Sequence, residues 1–297
     1  MIWVAPALAA SLFFAVFGEA NRSFRLPGAA LNVYRGAVPV LLLSPWLAFV
    51  EPPAAWQFYA LTAMNGLVIS YSDARLFDAA ARFGGAQTLR LQPLVLVLVF
   101  VLWAPLDWPR VMRLVENPPL GLGVVSALCG ASLSLYFMTR TPVTLEALRF
   151  YLPAILAGSL IDPINKLTTR YAHGPSGALC YAMFTSFFVL VFVLGRMTWM
   201  RRDGAGPLSR VAGALFQPGH VVAGLTIGCL SVALNFNKTL AMAAAPNPAF
   251  VTAIIFCSGL WATAYARLRG QPDDYNPAAA ATFIFSAVIL LLLASEA

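Results

Sequence analysis

Ile161-Asp162-Pro163-Ile164-Asn165-Lys166 closes an apolar run that begins near residue 145, and sets an acid, an amide and a cation against a stretch otherwise fit to cross a bilayer. A charge at membrane depth costs roughly 2.5–3.5 kcal/mol on insertion scales, so one kept there is normally kept for function. A similar ending closes the first apolar run, with Glu19, Asn21 and Arg22. Arg75 falls inside the third run and Lys238 inside the eighth. Two kinds of charged position, each occurring twice, read as a duplicated membrane protein with a polar site between its halves.

Working outward from these positions, the chain has 297 residues, 60% hydrophobic and 10% charged, with mean hydropathy +0.77. Soluble domains carry about 25% charged residues, so there is too little polar surface here to coat a water-soluble globule. Apolar runs of membrane-spanning length fall near 2–20, 31–50, 57–80, 86–103 and 119–137, and again near 145–164, 177–198, 219–241, 248–268 and 277–294. The first is read as a membrane helix rather than a cleaved signal, because Glu19 and Arg22 stand where small residues would be wanted. Proline and glycine mark the breaks, at Pro27-Gly28, Pro52-Pro53, Gly84-Gly85, the Asp107–Pro119 stretch, Pro246-Asn247-Pro248 and Gln271–Asn276 among others.

The expectation is an all-α integral membrane protein of ten transmembrane helices, built as two inverted five-helix repeats over 1–140 and 141–297. An odd number of spans per repeat forces opposite orientations, a common transporter plan with the substrate site near the midplane. Asn21-Arg22 then matches Asn165-Lys166, and Arg75 matches Lys238, the longer basic connection around 197–217 absorbing the difference in spacing.

Several functions are disfavoured. The +7 formal charge lies in loops and buried positions, without the basic tail or aromatic-basic motif of a nucleic-acid binder. Cys129, Cys180, Cys229 and Cys257 stand singly in apolar runs and read as buried small hydrophobes, so neither a metal site nor a disulfide framework follows. No catalytic or cofactor-binding motif is present, and no enzyme activity, cofactor or metal is expected. Trp3, Trp46, Trp56, Trp103, Trp108 and Trp199 lie near segment ends and read as interfacial anchors. Gly224 and Gly228 form a GxxxG step, read as helix packing.

The buried polar residues are therefore the candidate substrate site: Glu19, Asn21 and Arg22 in segment one; Tyr71, Asp73 and Arg75 in three; Asp162, Asn165 and Lys166 in six; Asn235, Asn237 and Lys238 in eight. Cations facing one cavity would attract anionic groups, arginine as a fork and lysine as a point charge. Glu19, Asp73 and Asp162 are the resting partners of those cations, or one of them couples transport to a proton or counter-ion. The bland alternative is that acids and bases only neutralise each other, which is the reading for Asp78–Arg82 and Glu146–Arg149 at segment edges.

The segment-six stretch from Ile161 to Lys166, followed by Tyr171-Ala172, resembles the Asn-Lys segment that opens the second repeat of EamA-type carriers in the drug/metabolite transporter superfamily. Gln92-Pro93 in segment four, Asn235 in segment eight and the five-plus-five pattern add to the likeness. The resemblance implies a pocket lined by helices one, three, six and eight, in a bacterial cytoplasmic (inner) membrane. Arg75 stands where exporters of aromatic compounds in that family carry a pocket aromatic, which favours an anionic or zwitterionic substrate. The expected function is secondary transport of a small polar metabolite by alternating access. The alternatives are a flippase for a phosphate-bearing lipid or lipid-linked sugar, and a non-transporting scaffold or enzyme. Arg75→Ala or Lys238→Ala is expected to abolish transport.

Orientation is contested. Thirteen Lys/Arg flank the odd-numbered connections and five the even ones, which on the positive-inside rule puts both termini outside. The resemblance implies both termini in the cytoplasm.

Overall fold

The computed structural model describes residues 2–24, 28–83, 91, 93–138, 143–202, 215, 217–269 and 276–294, without the side chains of residues 21, 22, 77, 80, 81, 199–202, 266, 267 and 294. Among the described residues there is no strand. These residues form, in order, the helices α1 Val4–Phe24, α2 Gly28–Leu43, α3 Trp56–Phe83, α4 Pro93–Trp103, α5 Trp108–Glu116, α6 Pro118–Phe137, α7 Leu145–Gly158, α8 Ile161–Thr168, α9 Gly174–Arg202, α10 Pro218–Ala244, α11 Pro248–Ile255, α12 Ser258–Leu268 and α13 Pro277–Ala294. Single 3-10 turns, Ser44–Ala48 and Ala104–Asp107, follow α2 and α4.

Among the described residues, six helical stretches are long and apolar enough to cross a membrane: Pro93–Glu116, Pro118–Phe137, Leu145–Thr168, Gly174–Thr198, Pro218–Ala244 and Pro248–Tyr265. Val4–Ala20 and Pro277–Leu293 are apolar but shorter. The chain is thus a helical, multi-pass integral membrane protein. Two expected spans fall outside those groups for visible reasons. The 16-residue α2 is short, and α3 carries Asp73, Arg75, Asp78 and Arg82 along its length.

Three helices begin on the same dipeptide. In Asn117-Pro118, Asn247-Pro248 and Asn276-Pro277, proline takes the first helical position, where its missing N–H goes unused. The asparagine accepts from the amide of Leu120 (3.5 Å), Ala249 (2.9 Å) or Ala278 (3.1 Å). The connection expected between Asp107 and Pro119 holds a helix of its own, α5, whose exposed Trp108, Met112 and Val115 share one face.

Segment six is broken rather than continuous. After α7 the chain turns through Ser159-Leu160 and restarts as α8, so Asn165-Lys166 lies within a helix instead of closing one. Pro163 accounts for the restart: its ring removes an N–H that the interior of an unbroken helix would need, but which the first turn does not. A second break, at Phe256-Cys257, separates α11 from α12.

The main contacts pair α1 with α10, α2 with α9 and α10, α3 with α7, α8 and α9, α4 with α11, and α6 with α13. Glycine permits the closest of these approaches. A Cβ at Gly36 of α2 would come 2.7 Å from Cβ of Leu190 on α9, and one at Gly66 of α3 would come 2.6 Å from Cβ of Phe188. Gly224 and Gly228, the GxxxG step, seat Tyr34 and Val38 of α2. Two expected anchors are instead core residues, Trp3 (5% exposed) and Trp103 (2%). Trp46, Trp56 and Trp108 are exposed, and the side chain of Trp199 lies outside the described residues. Cys180 is buried, whereas Cys129 and Cys229 are exposed on apolar outer faces, not buried as expected.

Candidate functional site

Where α2, α3, α8 and α10 meet, charged side chains alternate in sign. Arg35 of α2 forms an ion pair with Asp73 of α3, both 14% exposed. Lys238 of α10 forms one with Asp162 of α8 and also lies within electrostatic reach of Asp73. The order Arg35, Asp73, Lys238, Asp162 thus gives each carboxylate a cation and leaves the group neutral. Such balance is what a low-dielectric interior demands, since removing one partner strands the other. Asp162 sits in the first turn of α8, where the helix dipole favours negative charge.

Neutral groups complete the surroundings. Thr252 of α11 places its hydroxyl between the Asp162 carboxylate and the Pro248 carbonyl, the latter 2.9 Å away. The Asn65 amide of α3 donates to the Ile161 carbonyl (3.3 Å) and to the Tyr181 hydroxyl of α9. Asn165 of α8 donates to the Thr239 hydroxyl at 3.3 Å. The side-chain carbonyl oxygens of Asn65 and Asn165 are buried without a hydrogen-bond donor among the described residues. Buried acceptors normally find a partner, so these two oxygens are left with hydrogen-bonding capacity beside the charged group.

Of the sequence-predicted residues, Asp73, Asp162, Asn165 and Lys238 come together. Arg75 does not join them: its guanidinium lies over the rings of Phe150 (5.2 Å) and Tyr71 (6.0 Å), between α3 and α7. Lys166 turns the other way, donating to the carbonyls of Met242 (2.6 Å), Ala243 (3.3 Å) and Ala245 (2.7 Å). It caps the C-terminal end of α10, where a cation meets the negative end of the dipole. Asn237 donates to the Ala233 carbonyl at 2.8 Å and faces outward. Asn235 is half-buried on α10, and Glu19 half-buried near the end of α1. The side chains of Asn21 and Arg22, and the whole of Gln92, lie outside the described residues. The arrangement expected from the sequence, cations of segments one, three, six and eight on one cavity, is therefore not the one observed among the described side chains.

Arg35, Thr252, Asn65 and Tyr181 were not singled out in the sequence. Arg35 sits near the start of an apolar run and counts there as a flanking charge; the other three are neutral. At the segment edges, Arg82 pairs with Glu146 across α3 and α7 at 2.6 Å, a partnership neither of the two expected local pairs foresaw.

No protein-family model and no curated protein matches the chain. Nine solved chains do. One of them, described only as a crystal structure of a protein, is similar over 99% of this chain and 98% of its own, with a TM-score of 0.66 at 14% identity. At that identity the likeness shows the fold alone, from one end of the chain to the other.

Proposed function

We propose that the protein is a secondary carrier of the drug/metabolite transporter type, moving a small anionic or zwitterionic metabolite across a cytoplasmic membrane by alternating access. The observation that carries this reading is the neutral, alternating group Arg35–Asp73–Lys238–Asp162, drawn from both halves of the chain and flanked by the unpaired acceptors of Asn65 and Asn165. A solute carboxylate or phosphate competes with Asp162 for Lys238, or with Asp73 for Arg35. A solute that also carries a positive group satisfies the displaced carboxylate, so ion pairs exchange without stranding a charge.

The reading takes the chain as ten spans in two inverted repeats, and the helix pairing supports it. Number the spans α1, α2, α3, α4–α5, α6 and then α7–α8, α9, α10, α11–α12, α13. Exchanging the two sets turns the pair of spans one and eight into that of spans six and three, and both pairs are in contact. The pair of spans two and eight exchanges in the same way for that of spans seven and three. Two with seven, four with nine and five with ten map onto themselves.

The test is thermal stabilisation of the purified protein by amino acids, organic anions, sugar phosphates and lipid phosphates, followed by uptake into proteoliposomes. A ligand at 100 times its Kd adds about 2.7 kcal/mol to stability. A soluble hit, transported by the wild type and lost in Lys238→Ala, supports the carrier. A hit confined to lipid phosphates would favour the flippase alternative, and undiminished transport by Lys238→Ala would remove the site.

A further inference from the structure

The connection between α10 and α11, Ala245-Pro246-Asn247, is tucked into the protein, with Ala245 3% and Asn247 7% exposed. Connections normally run over the surface, because a buried one carries backbone groups that need partners. Here cations supply them. Lys166 of α8 donates to the Ala245 carbonyl at 2.7 Å. Arg110 of α5, itself paired with Asp107 at 2.7 Å, donates to the Pro246 carbonyl. The space left where α4 and α5 meet α11 is a cavity of about 10 Å³ against Trp103, Arg110, Asn247 and Phe250, room for about one water and no solute.

Arg110 lies in the first half of the chain and Pro246 in the second, so that contact joins the halves. A second joint lies beside it. Arg170, in the turn that follows α8, holds its guanidinium 5.7 Å from the Trp103 ring of α4. Lys166 has Arg110, Arg170 and Asp107 in electrostatic reach, three cations to one carboxylate. The like charges repel, so bonds to carbonyls and a contact with a ring, not ion pairing alone, hold this end together.

The central charge group lies one helical turn away. α8 and α10 run side by side in the same direction: Asp162 meets Lys238, and four residues on Lys166 meets the Met242 carbonyl, about 6 Å along each axis. α8 is only eight residues long, with a break at each end. Behind it, Pro163 has no N–H for the Ser159 carbonyl four residues back. Ahead of it, Gly174 opens α9 at φ 65°, a conformation glycine takes freely. The helix that carries both Asp162 and Lys166 can therefore shift as a unit without bending α7 or α9.

We propose that Arg110, Lys166 and Arg170 form a latch that closes this end of the protein over the Asp162–Lys238 pair. The inference rests on the carrier reading, for which it supplies the gate on the face where α10 ends. A solute that draws Lys238 from Asp162 leaves α8 tied to α10 by Asn165 and Lys166. Arg110 must then leave Pro246, and Arg170 leave Trp103, before the halves part at this end.

The test is one-sided labelling of Thr239→Cys, which sits on α10 between Lys238 and the latch, in full-length protein whose four native cysteines are replaced by alanine. Intact cells and inverted vesicles present opposite faces to a membrane-impermeant maleimide. With the latch whole, the introduced thiol is expected to be shielded from the face where α10 ends. Arg110→Gln and Arg170→Gln should each speed its labelling from that face by about tenfold or more, the population change expected when one contact to a charged group is lost. Neither should raise the rate from the opposite face, and Arg110→Lys, which keeps a charged donor for Pro246, should stay near the parent. Unchanged shielding in both glutamine variants would overturn the latch. So would equal rises from the two faces, which report a loosened fold rather than a gate. The labelling needs no solute, so a latch-dependent rate in a protein that transports nothing would uphold the latch while ending the carrier reading.

Discussion

Lys238 of α10 and Asp162 of α8 hold each other's charge with side chains only 17% and 6% exposed. Truncating one member of such a pair strands the other. Lys238→Ala is expected to cost about 3–5 kcal/mol, read by denaturant or thermal unfolding in detergent. The double variant Lys238→Met with Asp162→Leu should recover most of that stability and none of the transport. A double variant that still transports would take the pair out of the mechanism.

Arg75 and Lys238, matched by the repeat, now separate. The Arg75 guanidinium lies on two rings between α3 and α7, an arrangement worth about 0.5–2 kcal/mol. Arg75→Ala should therefore lower the melting temperature modestly while uptake persists, in contrast to the loss expected from the sequence alone. Uptake by the two single variants, compared at equal membrane insertion, decides between the expectations.

Lys166→Met should loosen one end of α10. Hydrogen bonds from a charged donor contribute about 1.5–3 kcal/mol, and this ammonium reaches three carbonyls. Amide hydrogen exchange should rise over Met242–Ala249 and stay unchanged near Pro218. Uniform protection along α10 would show that the cap carries no weight.

Gly228→Val is expected to drive a branched side chain into Val38 of α2. Overpacking of this kind costs about 1–3 kcal/mol. Because Gly36 and Gly66 bring α2 and α3 equally close to α9, Gly66→Val should destabilise similarly. Unchanged melting of both variants would mean that these helices shift apart freely.

Orientation is settled by reporter fusions at the two ends. Arg35 is held inside by Asp73, so it drops out of the charge count for the odd connections, yet the excess there persists. Both termini should then report the non-cytoplasmic side. Cytoplasmic signal from both ends would favour the plan implied by the family resemblance.

What could be read in the sequence was the cost of burying charge. Asp73, Asp162 and Lys238 stand out because each interrupts a run that otherwise suits hydrocarbon, and all three belong to the network. The direction in which a cation points has no such signature: Lys166 and Lys238 look alike in sequence, one capping a helix and the other facing Asp162. Arg35 was legible as a charge but not as an inward one. Thr252, Asn65 and Tyr181 were silent because neutral polar groups cost little to write into an apolar segment, and their partners lie far along the chain. The break before Pro163 was similarly hidden, since proline near a segment end reads equally as a stop or as the first turn of a new helix.

The Thr252 hydroxyl has one proton and two acceptors within reach, the Pro248 carbonyl of its own helix and the Asp162 carboxylate of another. Given to Pro248, that proton fastens α11 to itself; given to Asp162, it fastens α11 to α8. A solute that draws Lys238 away leaves Asp162 hungrier for a donor and pulls the proton across, and its departure lets the proton return. In the proposed carrier, withdrawal of Lys238 beside α10 would thereby be relayed to the helix after it through a single rotatable bond, that of the Thr252 hydroxyl.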